Sequence, residues 1–135
     1  MGKMLAKLAA LTTFATPGCV TAAEWRMPKE AQIERVEVGV QRGFEQHKDV
    51  NDCRDFALTE QQIRSFLANA RVITRMEEHD QFDWAPCVVR GTLKWRKGQA
   101  RFEISATLVG SVFFEGAREV RLGCDERCEK IVYPP

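Results

Sequence analysis

The chain has 135 residues, with 20 Lys and Arg against 19 Asp and Glu and a formal net charge of +1. So even a balance argues against nucleic acid as a partner, because phosphate binding needs a clear basic excess. No stretch approaches the roughly 20 mostly apolar residues of a membrane-spanning helix, and the length suits one domain.

The first residues carry the order of a secretory signal. Lys3 and Lys7 give a positive start without an acid, residues 8–15 are apolar and small, and Pro17-Gly18 breaks any helix. Val20, Thr21, Ala22 and Ala23 then supply the small residues of a cleavage site. The pattern predicts a signal peptide over residues 1–23, cut after Ala22 or Ala23, and a single α+β domain over residues 24–135. Loss of Lys3 and Lys7 leaves 18 basic against 19 acidic residues. The expected location is the periplasm or outside the cell. The alternative is a lipoprotein signal with Cys19 as the lipidated residue, which would anchor the chain in a membrane. Gly18 suits that reading, whereas Thr16 stands where such signals usually carry Leu. A membrane contact is expected only in that case.

Residues 24–29 read as a mobile lead-in. Val36, Val38 and Val40 alternate with polar or small residues and predict a strand over 36–41. Next come the cysteines. Without Cys19, four remain: Cys53, Cys87, Cys124 and Cys128. An even number in a small exported domain reads as two disulfides, with three connectivities open. Cys124 and Cys128 are near enough to close a small loop, which would leave Cys53 with Cys87. The two histidines, His47 and His79, fit no zinc spacing, and no metal is expected.

Thr59 followed three residues later by Gln62 is a capping box. Leu58 and Ile63 can form its hydrophobic staple. Ile63, Phe66, Leu67 and Ala70 make one apolar stripe, which predicts a helix over about 60–76 with Arg64, Ser65, Asn69 and Arg71 facing away. Residues 77–86 read as an acidic loop between helix and sheet, with Phe82 and Trp84 as anchors.

Strict alternation follows over 87–95 and 100–108, with apolar residues on one face and Arg90, Thr92, Lys94, Arg101 and Glu103 on the other. A two-residue turn at Lys97-Gly98 would set Lys94 opposite Arg101 and Thr92 opposite Glu103, and Gly110 would end the second strand. A hairpin around Gly116 joins 112–115 to 119–124, and the terminal 131–133 extends the last strand. The fold expected is α+β: an antiparallel meander of four to five strands with one main helix packed on one face, stapled by disulfides.

No motif asks for a cofactor, and none is expected. No serine sits in a nucleophile elbow, no glycine loop cradles phosphate, and no residue is assigned a catalytic role. Three surfaces remain. The hairpin face carries Arg90, Lys94, Arg96 and Arg101, with a solvated face as the bland reading. The terminal Cys124–Cys128 segment is either a rigid projection or a plain staple. The acidic loop, with Glu77, Glu78, His79, Asp80, Asp83 and Trp84, is the preferred partner-binding surface, since aromatic anchors often dominate binding energy.

The layout of Cys53-Arg-Asp-Phe-Ala-Leu-Thr59, helix, Asp83-Trp-Ala-Pro-Cys87, Arg90-Gly-Thr-Leu and a terminal cysteine pair resembles small uncharacterised exported proteins of Gram-negative bacteria, over residues 53–128. The resemblance implies an envelope location and brings no activity. The functional expectation is a non-enzymatic envelope protein that binds a protein partner, for example an immunity protein or an inhibitor of a periplasmic toxin or hydrolase. Two alternatives accompany it: a structural or lipid-anchored envelope component, and a small hydrolase using His79 with Asp80 or Asp83.

Overall fold

The computed structural model describes residues 24–46, 53–116 and 118–135. The signal segment 1–23 with Cys19, and His47, lie outside the described residues. Among the described residues, six strands form one antiparallel sheet: β1 (Gln32–Val40), β2 (Arg71–Val72), β3 (Cys87–Trp95), β4 (Gly98–Ser105), β5 (Val109–Phe113) and β6 (Glu119–Gly123). Their spatial order is β1-β3-β4-β5-β6-β2. Three helices among the described residues pack with it in an α+β arrangement: α1 (Glu60–Asn69), α2 (Arg75–Gln81) and α3 (Glu126–Val132). Cys53 is bonded to Cys87, and Cys124 to Cys128. Paired cysteines of this kind belong to an oxidising, extracytoplasmic compartment. No helix among the described residues is long and apolar enough to cross a membrane.

The core forms where the alternation puts it. Val89, Leu93, Ala100, Phe102, Ile104, Val112, Val120 and Leu122 line the inner face of the sheet, beneath Ile63, Phe66 and Leu67 of α1 and Cys128 and Val132 of α3. The capping box of α1 is made as its sequence implies. The Thr59 hydroxyl accepts from the Gln62 amide at 3.1 Å, and the Gln62 side chain accepts from the Thr59 amide at 2.9 Å.

Several sequence expectations are corrected. The helix expected to reach residue 76 ends at Asn69, because Ala70 turns extended and the β-branched run Val72-Ile73-Thr74 prefers a strand. Val72 pairs with Leu122, and the Ile73 amide donates to the Arg121 carbonyl. Thr74 then caps a new helix over much of the expected acidic loop. The terminal segment is α3, not a strand, with the Asp125 side chain accepting from the Cys128 amide at 2.9 Å. Its cysteine pair is buried and ties β6 to the first turn of α3, so it is a staple and no projection. Gly110 lies inside β5, where Phe66 packs close to it, and the β4–β5 turn uses Leu108 at φ 58° instead. The lead-in is docked: Trp25 donates through Nε1 to the Leu67 carbonyl at 2.7 Å, and Met27 packs against the core.

The β3–β4 register is also shifted. Trp95 pairs with Gly98, so the turn is Arg96-Lys97 and Lys94 faces Gln99. The Trp95 ring lies where a side chain on residue 98 would stand, so Gly98 serves as a platform for the indole rather than as a turn residue. Arg90 therefore faces Glu103, an opposite-charge pair, Thr92 faces Arg101, and the like charges Lys94 and Arg101, expected opposite each other, are not paired. At the other edge β1 begins at Gln32, earlier than expected, and carries a bulge between Glu34 and Glu37. The extra residue reverses the phase of the strand, so that Ile33 and Val38 both take the inner face opposite Leu93 and Val89.

Candidate functional site

The outer face of the sheet holds a groove of about 1060 Å³. Backbone register builds its floor. One row runs Glu37, Arg90, Glu103, Ser111, Arg121 across β1, β3, β4, β5 and β6. A second row runs Thr92, Arg101, Phe113, Glu119. Charges alternate along and between the rows, and each strand places its polar residue there because its neighbours in sequence are committed to the core.

Arg90 is the most firmly held of these side chains. Its Nε donates to Glu103 at 2.8 Å, and another guanidinium nitrogen donates to the Val40 carbonyl. The guanidinium occupies the space a side chain on Gly39 would need. Arg121 pairs with Glu78 of α2 and approaches Glu119 at 3.5 Å. Both arginines are mostly shielded from solvent, so their pairings are screened less than surface ones. Arg101 differs. It is exposed, lies 5.6 Å from the centre of the Phe113 ring, and has no carboxylate partner among the described residues.

One end of the groove is closed by a strap, residues 82–86. Phe82 packs on Gly123 of β6, where a Cβ would come within 2.6 Å of its ring. The strap then crosses to the opposite side of the sheet. Trp84 Nε1 donates to the Gln41 side chain at 3.0 Å, its ring centre lies 4.6 Å from that of Phe44, and the Gln41 amide donates to the Pro86 carbonyl. This end of the outer face carries Val88, Val109 and Ser105, all buried although the inner helices do not cover them. The Cys53–Cys87 bridge fixes the strap's far end at the first residue of β3.

The structure divides the residues of the expected loop. Glu78, Asp83 and Trp84 line the groove together with Arg90 and Arg101 of the hairpin face, so parts of two surfaces read separately in the sequence meet here, whereas Lys94 and Arg96 lie outside it around the β3–β4 turn. Glu77 is turned away and pairs with Arg71 at 2.7 Å. His79 and Asp80 contact each other at 2.9 Å on an exposed part of α2 and do not line the groove. Asp83, which does, is thereby separated in role from both. Among the described residues, no three His, Cys, Asp or Glu side chains converge as a metal site requires.

No family model matches this chain, and no curated protein or solved structure matches it either. The site is therefore read from its own geometry. Sequence reasoning missed Arg121, Glu119, Ser111 and Phe113 as groove residues. Their alternation with Val112, Val120 and Leu122 was the available signal, since it sets them on the face opposite the core. The groove offers fixed charges of both signs, hydroxyls and half-exposed aromatics. That mixture suits recognition of a polar, mixed-charge surface carrying an aromatic or aliphatic anchor.

Proposed function

We propose that this chain is an exported cell-envelope protein that binds a protein partner through the outer-face groove and performs no chemistry on it. Its role is that of an immunity protein or inhibitor, blocking a toxin or hydrolase in the periplasm. The observation that carries this reading is the convergence of Glu78, Asp83 and Trp84 with Arg90 and Arg101 in one groove. The strap, the Cys53–Cys87 bridge and the paired arginines preorganise that surface, which lowers the ordering cost of association. Export fits the two disulfides and the signal-like start.

The test is capture from envelope extracts with the wild type and the Arg101→Glu and Trp84→Ala variants side by side. A protein bound stoichiometrically by the wild type and lost by both folded variants supports the groove. A partner held equally by all three excludes it. Intact mass of the exported protein tests its location. We expect a chain starting at Ala23 or Glu24 with no free thiol, whereas acyl mass on Cys19 replaces soluble export with the anchored form.

A further inference from the structure

Away from the groove, two hairpin tips meet at one end of the sheet. The β3–β4 turn brings Lys94, Arg96 and Lys97, and the β5–β6 turn brings Arg118, around a shallow depression of about 770 Å³ that shares no residue with the groove. All four cations are exposed, and none has an ion-pair partner among the described residues. Glu115 is the one acid in the lining. A protein with balanced total charge has therefore gathered a local excess of three positive charges at one end.

The floor beneath them is aromatic and rigid. Trp95 and Phe114 meet edge to face with centroids 6.4 Å apart, and the Arg118 guanidinium lies 4.4 Å from the centre of the Phe114 ring. Trp25 also meets Phe114 edge to face, with centroids 6.1 Å apart. The first described residues, Glu24 and Trp25, thus lie at this same end.

We infer that this end is a docking surface for an anionic membrane, with Lys94, Arg96, Lys97 and Arg118 meeting the phosphates of lipid headgroups. Lysine offers a phosphate a point charge and arginine a planar fork of donors, and here the four cations share the lining with one carboxylate, Glu115, without an ion pair to it. Four exposed cations around an open depression at the ends of two hairpins fit an extended charged surface better than a single small anion, which needs donors converging on one point. Each cation near an anionic bilayer contributes about fivefold in affinity, so the group acts as a weak, salt-sensitive contact. The contact orients the molecule, setting the β3–β4 and β5–β6 turns toward the bilayer. It does not depend on the groove's function.

The test is cosedimentation of the full exported protein with vesicles of phosphatidylglycerol mixed with phosphatidylcholine, and with pure phosphatidylcholine. The readout is the ratio of the two partition constants, which an acyl chain on Cys19 would leave unchanged because it enters both bilayers. We expect a clear preference for the anionic vesicles that fades with added salt. Lys97→Glu and Arg118→Glu, one on each turn, should each lower the ratio by about fivefold or more. Lys130→Glu on α3, which changes the same net charge elsewhere, should leave the ratio near the wild-type value. Circular dichroism establishes that each variant is folded. No preference for anionic vesicles overturns the inference, as does an equal loss with Lys130→Glu, which would reduce the effect to net charge. Displacement by millimolar inorganic phosphate at constant ionic strength would also overturn it, by revealing a small-anion pocket in place of a membrane surface.

Discussion

On the inner face of the sheet, Val89, Leu93, Phe102, Ile104, Val112 and Leu122 are almost wholly shut from solvent under α1 and α3. On the outer face the same strands present Arg90, Thr92, Arg101, Glu103, Ser111 and Arg121 to a groove. The inner face is held by burial, which is non-directional and tolerates a shift in partner. The outer face is held by named pairs, Arg90 with Glu103 and Arg121 with Glu78, which depend on register to the residue. If the outer face is the binding surface proposed above, substitutions that remove buried apolar area from the inner face should move stability, and substitutions of exposed outer-face residues should move binding.

The largest expected effect comes from the inner face. Phe66 is fully buried in α1, and Phe66→Ala should cost about 3–5 kcal/mol in a denaturant melt. Arg101→Ala on the outer face should cost less than about 0.5 kcal/mol, as an exposed substitution away from strained backbone. Equal effects would show that the two faces are not divided in this way.

Next is the Cys53–Cys87 bridge, with a sequence separation of 34. Replacing both cysteines with Ala should cost about 3–4 kcal/mol on the chain-entropy view. Because the bridge ends beside the strap, the double variant should also weaken partner binding when assayed under folding conditions. Loss of stability with unchanged binding would separate the bridge from the site.

Smaller still is Gly123→Val. Its side chain would meet Phe82 and Ile73, and overpacking of this kind costs about 1–3 kcal/mol. The expected signature is faster protease cleavage within residues 82–86 at nearly unchanged inner-core protection. Uniform loss of amide protection across the sheet would mean that Gly123 supports the fold rather than the strap.

The comparison of faces also explains what the sequence made legible. Val89, Leu93, Ala100, Phe102 and Ile104 alternate with polar residues along β3 and β4, so the inner face, the α+β class and the helix that covers it could be read directly. Both cysteine pairs followed once Cys124 and Cys128 were assigned to each other. What resisted reading was whatever depended on pairing between distant segments. The two-residue β2 exists only because Val72 meets Leu122, although the run Val72-Ile73-Thr74 is a strand signal that the preceding helical stripe overrode. The β3–β4 register turned on whether Gly98 serves as a turn residue or as a platform, and the Trp95 ring decides that in three dimensions. Asp125 before Glu126, with Cys128 and Val132 four apart, was a readable helix start and buried stripe for α3. The groove escaped for a different reason. Its floor comes from strands and its wall from α2 and the strap, and alternation assigns residues to a face without saying what stands over it.

The central claim is that binding resides on the outer face while stability resides on the inner one. The most direct measurement is partner affinity alongside melting temperature for Arg101→Glu and Phe66→Leu, using the purified partner. Arg101→Glu should abolish or strongly weaken binding at an essentially unchanged melting temperature, and Phe66→Leu should lower the melting temperature while the folded protein binds as the wild type does. Wild-type affinity in Arg101→Glu would contradict the account.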